Sequence, residues 1–422
     1  MQSATAFRGS ILEKKETIMT VNPAAFEPTS PPLLFETDRA NPYLVRAAGL
    51  KEQFGRDAAE RDQLGGRPVE QIRLLKASGL VNLLIPRECG GDGQPYSTAM
   101  KIVREFAKVD GSLGHLYGYH LSPLQNAVTA GDPHSIEILK QSARGRWFWG
   151  NTTNSFSKSL FGRKVKGGVI LNGVRPFASG SHVADYLMVA WEEEETNHRS
   201  FAYIPAARKG ITIAGDWDGI GQRQTGSGQV FYKDVRIDEA EILQERVRDP
   251  AALLTPQQQQ SVLLNVFVGS AQGALIAARD YTVTKSRPWI YSGVERHIDD
   301  PWIKRQYGEL WTRVQAATAL ADRAGEAMDK AYARGAALTA EERGQTAIAV
   351  ASANVLAGRV ALQVTSEIFE VMGARSAVRP FGFDRFWRNV RIHTLHNPAE
   401  YKTRNVGNWF LTGEYPEPGV FQ

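Results

Sequence analysis

The sequence predicts an α+β protein in three blocks, helical, then β, then helical, and three observations carry that prediction. Apolar residues recur at helical spacing up to about Gly145. Between about Arg146 and Val247 short β-branched and aromatic runs alternate with turn residues, and from about Pro256 Ala-rich helical stripes return. At 422 residues the chain can fill two or three domains with a large core. The expected boundaries are a loose arm over 1–41, an N-terminal helical domain over 42–145, a central β-barrel or sandwich over 146–250, and a C-terminal helical bundle with its tail over 251–422.

Composition narrows the function classes. Hydrophobic content of 42% and charged content of 23% are those of a globular protein. The net charge of +5 is spread among interleaved acids, with no Lys/Arg run to suit nucleic acid. No apolar run is expected to reach the length of a membrane span. The single cysteine, Cys89, excludes an intrachain disulfide or Cys-rich metal site and fits a reducing cytoplasm. Residues 1–17 have neither hydrophobic periodicity nor a signal-peptide core. Codons for Lys14-Lys15-Glu16 can spell a purine-rich ribosome-binding region, so the natural start is expected at Met19 and residues 1–18 untranslated.

In the first helical block Leu44, Ala47 and Leu50, then Val69, Ile72 and Leu75, mark amphipathic runs. Gly90-Gly91-Asp92-Gly93 breaks the chain, and Ala99, Ile102, Val103 and Phe106 form the next stripe. Asp110 to Leu121 follows. As a helix it puts His115 and Tyr119 on one face, with Gly111, Gly114 and Gly118 beside them. Those glycines suit either close approach of a flat ring or tight helix packing.

In the central block Asn172-Gly173 reads as a type I′ turn within Val169–Phe177. Asp185–Trp191, Phe201–Pro205, Gly210–Ala214 and Gly228–Ile237 read as strands. Two loops, Phe177–Ser181 and Ile220–Gly228, offer backbone N–H groups and hydroxyls suited to a heteroaromatic ring or a phosphate.

In the last block Thr339 is the cap of a helix that runs to about Met372 and stops at Gly373. Arg287 and Arg375 sit at element ends, as phosphate-binding guanidinium groups do. Asn397, Pro398 and Glu400 fit N-cap, N1 and N3 of another helix. His396 then stands at a helix N-terminus, whose field favours a neutral imidazole able to act as general acid or base. A plain hydrogen-bonding role for His393 and His396 at a buried corner fits the same residues. The tail Gly413–Gln422 reads as an arm on a neighbour.

Leu171–Gly180 (Leu-Asn-Gly-Val-Arg-Pro-Phe-Ala-Ser-Gly), Gly221–Thr225 with Asp234–Ile237, and Tyr281 ahead of Arg287 resemble the acyl-CoA dehydrogenase superfamily. Gly111–Leu121, Ile220–Thr225 and Gly382–Arg391 with the histidines after it resemble its flavin-dependent dibenzothiophene monooxygenase family, over nearly the whole chain from about residue 45. The resemblance implies a homotetramer using FMNH2 from a separate NAD(P)H:FMN reductase. It implies flavin contacts from Tyr119, Asn151, Phe177, Ser179, Arg287, Ala374, Arg375 and His396, the arginines near the phosphate. It gives catalytic roles to His115, Ser179 and His396, a pocket wall to Trp217, and a mobile lid to Thr153–Lys164. Ala178 and Asn397 depart from the family's cysteine and aspartate.

The implied chemistry is oxygenation of the sulfur of a small apolar organosulfur compound by O2, through a C4a-hydroperoxyflavin that must be kept from water. His115, with Ser179 and His396, would donate the proton. The rivals are an FAD-dependent acyl-CoA dehydrogenase, which would need a carboxylate base where His396-Asn397-Pro398 stands, and an amine N-hydroxylase on the same fold. A zinc site on His393-x-x-His396 lacks further ligands, so no metal is expected.

Overall fold

The computed structural model describes residues 37–244 and 249–419, together with Phe35. Most of the expected arm, and Met19 with it, lies outside the described residues. Helices α1 (Pro42–Gly55), α2 (Ala58–Leu64), α3 (Val69–Ser78), α4 (Tyr96–Ala107), α5 (Gly111–Ala130) and α6 (Pro133–Gly145) come first. Strands β1 (Trp149–Thr152), β2 (Leu160–Val165), β3 (Gly168–Arg175), β4 (Tyr186–Glu193), β5 (Arg199–Pro205), β6 (Ile211–Ile213) and β7 (Val230–Asp238) follow. Then come α7 (Thr255–Thr284), α8 (Pro301–Arg334), α9 (Ala340–Met372), α10 (Asp384–Thr394) and α11 (Ala399–Thr412).

The start of α5 is fixed from two sides. Asp110 accepts the N–H groups of Ser112 and Leu113 at 2.9 and 3.1 Å, closing the helix end. Its other oxygen takes Arg61 of α2 at 2.6 Å. The glycine stripe on α5 serves packing. A Cβ on Gly118 would lie 2.3 Å from Val262 of α7, and one on Gly114 would lie 3.0 Å from Ala107 of α4.

The strands form one seven-stranded sheet in the order β1-β4-β2-β3-β7-β6, with β5 on β4. It encloses its own core, in which Leu171, Val189, Trp191 and Val235 are wholly buried. The expected turn at Asn172-Gly173 is not there. The chain reverses between Val165 and Gly168, and Gly173 pairs with Leu160 inside β3. Asn172 is tied to Asp234 instead, accepting its N–H at 2.9 Å. Gly173 sits at a bulge against β7 with φ +133°, where a Cβ would meet the Ser159 carbonyl oxygen at 2.1 Å. The Asn-Gly pair therefore serves a bulge.

In the bundle α7 packs on α4, α5, α8, α9 and α10. Contrary to the sequence expectation, the helices over 252–284 and 340–372 are long and apolar enough to cross a membrane, their most apolar 18-residue windows having mean hydropathy 1.6 and 1.5. Their most apolar windows are 89% and 61% buried inside the fold, as the central helices of a bundle are. Thr339 and Glu342 form the expected capping box of α9, which ends at Gly373. The cap expected at Asn397 does not form. Helix α11 starts one residue later with Pro398 at the N-cap and no side-chain capping bond, while Asn397 Oδ1 turns to His396 Nδ1 at 3.4 Å. The described part of the tail folds back on α9 of its own chain: Tyr415 covers Gly344, and the Pro416 carbonyl accepts from Arg343 at 3.1 Å.

Candidate functional site

Helices α5 and α10 bring three rings into one stack. His115 and Tyr119 lie one turn apart on α5, with centroids 4.2 Å apart and planes 14° from parallel. His393 of α10 stacks on the other neighbour side of the series, 4.5 Å from His115 at 23°. His115 is 5% exposed, yet among the described residues neither of its ring nitrogens has a hydrogen-bond partner, and His393 Nδ1 has none. Buried polar atoms are rarely left in that state without a ligand or water to serve. Burial pushes the His115 pKa down to about 3, with the charge of His396 adding to the effect. Burial, then His115 and His396, holds His393 well below the ordinary value. Both rings are neutral near pH 7. His396 has an exposed surface, but crowding by protein atoms still lowers its pKa, opposed in part by Asn397. His120, in contrast, is a satisfied core residue, within 3.0 Å of the Val81 carbonyl and accepting the Trp149 N–H at 3.0 Å.

The two polar loops of the sheet meet each other, and the second is tied to α10. Ala178 and Gly180 donate to the carbonyls of Gly228 and Thr225 at 3.1 and 2.9 Å. The hydroxyls of Ser179, Ser227 and Thr225 form a chain with both links 2.7 Å, and Thr225 donates to the Gln222 carbonyl at 2.8 Å. That carbonyl also accepts from Trp217 Nε1 at 2.8 Å. Phe177, held at φ +56° and 63% exposed, turns its ring edge-on to Trp217 at 6.4 Å. The Asn151 N–H donates to the Ser179 carbonyl at 3.1 Å. Gln222, almost fully buried at φ +53°, donates its N–H to Asn389 Oδ1 of α10 at 2.6 Å. A Cβ on Gly111 would touch both Asn389 and Gln222, so the loop, α5 and α10 converge there. Asn389 lies one turn before His393, which joins the hydroxyl chain to the ring stack.

The segment read as a lid is divided. Leu160–Lys164 is part of β2, while the Thr153–Ser159 stretch is held by two arginines, one of them wholly buried. Arg175 is wholly buried, pairs with Glu192 at 2.7 Å, and donates to the carbonyls of Asn154 and Ser157. Arg199 also pairs with Glu192, at 2.8 Å, and donates to the Thr153 carbonyl at 2.7 Å.

The ends of α7 and α9, followed by Arg287 and by Ala374 and Arg375, form a second cluster. Ser286 donates to the Met372 carbonyl at 2.8 Å and Thr282 to that of Val371 at 3.3 Å, which ties the ends of α7 and α9 together. All three residues are exposed, and neither guanidinium makes a hydrogen bond or ion pair among the described residues. No described contact joins this cluster to Ser179 or His115 within the chain. Sequence reasoning did not assign His393, Gln222 or Asn389 to the site. The buried spacing Phe386, Asn389, Val390, His393 on one helix face was the available signal. Among the described residues no group of three His, Cys, Asp or Glu side chains is placed to hold a metal.

A helical block, one self-enclosed sheet and a helical bundle, with polar loops aimed at paired helices, define the acyl-CoA dehydrogenase class of fold. Family models for the acyl-CoA dehydrogenase N-terminal and C-terminal domains match residues 47–133 and 262–400. A dibenzothiophene monooxygenase of Rhodococcus erythropolis is 39% identical, over 90% of this chain and 95% of its own. A probable FMNH2-dependent monooxygenase of Pseudomonas putida is 37% identical, over 90% and 97%. The crystal structure of FMN-bound TdsC from Paenibacillus sp. A11-2 superimposes with a TM-score of 0.86 at 35% identity, covering 90% of this chain and 99% of that one. The chain belongs to the acyl-CoA dehydrogenase family, in its monooxygenase branch.

Proposed function

We propose that this FMN-dependent monooxygenase takes FMNH2 from a separate NAD(P)H:FMN reductase and uses O2 to oxygenate the sulfur of a small apolar organosulfur compound. The observation that carries the reading is the buried, neutral His115 imidazole, unpaired among the described residues, in a ring stack that Asn389 and Gln222 tie to the Ser179 hydroxyl chain.

The residues fit FMN. Orphaned nitrogens on His115 and the unpaired Gln222 Oε1 offer buried polar contacts, and Arg287 and Arg375, without a hydrogen bond or ion pair among the described residues, offer bidentate partners for a phosphate. Tyr119, Asn151, Phe177, Ser179 and His396 would flank the ring, with Ala374 beside Arg375. When bound, the reduced flavin supplies the electrons that activate O2 for transfer of one oxygen atom. The chain's own part is to exclude water, orient the substrate and deliver a proton. His115 Nε2 or Nδ1 is the donor in this scheme, with Ser179 and His396 able to pass a proton to it. A histidine whose pKa sits near 3 holds no extra proton at pH 7, so its remaining N–H hydrogen-bonds to the oxygen on which charge develops and passes a proton only as Ser179 or His396 replaces it, while burial withholds water from the reacting atoms. Trp217 and Phe177 offer flat apolar surface to the substrate. A homotetramer completes the reading, in which the exposed arginine pair of one copy is available to a neighbour.

An acyl-CoA dehydrogenase would need a carboxylate base at the α10–α11 corner, where His396-Asn397-Pro398 stands. The test is reductase dependence. Oxygenated product should form only with FMN, NAD(P)H and added reductase, because no Gly-rich βαβ unit for a dinucleotide is present among the described residues. Product formed from NADH without reductase would refute the two-component reading.

A further inference from the structure

Beneath α11, between α7, α9 and α10, lies a cavity of about 410 Å³. That is the size of a small-molecule site. Leu263, Phe267 and Leu362 give it apolar wall, but its other lining is unusually polar and unpaired. Lys402 is 4% exposed and its amine has no hydrogen bond or ion pair among the described residues. Among the described residues Gln260, 1% exposed, has both amide atoms unpartnered, and His393 Nδ1 is likewise unpartnered. Arg359 and Arg391 also line the cavity, and neither pairs with a carboxylate among the described residues. Among the described residues the one acid in the lining is Glu400, an exposed residue.

Three cations against one acid make the cavity electropositive. A buried ammonium without a counter-ion is costly, and a buried primary amide with four unused hydrogen-bonding positions adds to the cost. Burial alone lowers the Lys402 pKa to about 8, so most of the amine still carries its charge at pH 7. An anion with several acceptor oxygens relieves all of this together: it neutralises Lys402 and accepts from Gln260 Nε2. The volume and the Leu263–Phe267 wall exceed what a bare inorganic ion would fill, so part of the ligand must be hydrocarbon.

We propose that this cavity is a binding site for a small organic oxyanion, a carboxylate, sulfinate or sulfonate head on a short hydrocarbon body. The head rests on Lys402 and Gln260 beside His393, and the body lies against Leu263 and Phe267. His393 stacks on His115, so an occupant of this cavity would lie behind the ring that supports the proposed proton donor. The site does not depend on the flavin reading, and its test uses no flavin.

The experiment is calorimetric titration of the full, flavin-free chain at low ionic strength with propanesulfonate, dimethyl sulfone and sodium sulfate. Propanesulfonate should bind one per chain, more tightly than the neutral sulfone or the inorganic anion. Lys402→Met should weaken it by about 10- to 100-fold, the weight of one charged hydrogen bond, while Lys402→Arg retains part of the affinity. Because it removes an uncompensated buried charge, Lys402→Met should also melt at a higher temperature than wild type without ligand. Gln260→Leu is a second, independent probe and should weaken binding by about three-fold or more. Equal propanesulfonate affinity in wild type and Lys402→Met would overturn the proposal. So would sulfone or sulfate binding as tightly as propanesulfonate.

Discussion

Replacing His115 by phenylalanine separates a catalytic histidine from a core one. A core histidine that bonds to a neighbour leaves that neighbour unpaired when it is lost, at about 1–3 kcal/mol. Among the described residues His115 has no such neighbour: both nitrogens are unpartnered, and its ring stacks on the faces of Tyr119 and His393. Phenylalanine keeps both stacks and removes two unsatisfied buried atoms, so stability should hold or rise. Oxygenation should fall by about 10²–10⁴, the contribution of one positioned acid, which is about 3–5 kcal/mol on the barrier. Oxidation of the reduced flavin by O2 does not need this imidazole, so NADH should be consumed with hydrogen peroxide in place of product. Product, peroxide and melting temperature are measured on one preparation. A variant that melts lower but still couples NADH to product as wild type does would refute the assignment.

Arg287→Ala and Arg375→Ala should each weaken FMNH2 binding by about 1–3 kcal/mol, as loss of a charged hydrogen bond does; unchanged flavin affinity in both would show that they do not serve the phosphate. Buried histidines predict acid sensitivity: burial holds His115 at about 3, His120 and His182 at about 4, and His393 well below 6.5. The native state therefore binds fewer protons than the unfolded chain, so stability is complete above pH 6.5 and is lost as pH falls toward 4. Each histidine contributes a slope of up to about 1.4 kcal/mol per pH unit, and a urea midpoint that does not move between pH 7.5 and 5 would contradict this. Arg175→Met leaves Glu192 with Arg199 alone and frees the Asn154 and Ser157 carbonyls; it should cost about 3 kcal/mol in urea denaturation and speed proteolysis within 153–159, whereas unchanged cleavage would show that Arg175 does not hold that loop.

The block order was legible because hydrophobic period is a local property, and so was the capping box at Thr339. The Ile220–Gly228 loop was legible as polar chemistry, though not its tie to α10, because the Gln222–Asn389 bond spans 167 positions. The Asn172-Gly173 misreading has the same origin. Strands β1 and β2 are short and partly polar, so the true partner of β3 was not visible and the dipeptide took the local meaning of a turn. His393 was hidden for a different reason. The helix-start pattern around Pro398 drew attention to His396, whereas the ring that stacks on His115 lies one turn earlier, on the buried face of α10. Tertiary packing also decided the tail, which covers Gly344 of its own chain.

The central claim is transfer of oxygen from O2 to sulfur, and isotope labelling tests it most directly. The chain is incubated under ¹⁸O2 with FMN, NADH, a flavin reductase and a panel of aromatic and aliphatic sulfides, and products are read by mass spectrometry. The account predicts a sulfoxide or sulfone whose added oxygen is ¹⁸O, formed only when the reductase is present. Unlabelled sulfur products, or an enoyl-CoA formed from an acyl-CoA with no oxygen incorporated, would contradict it.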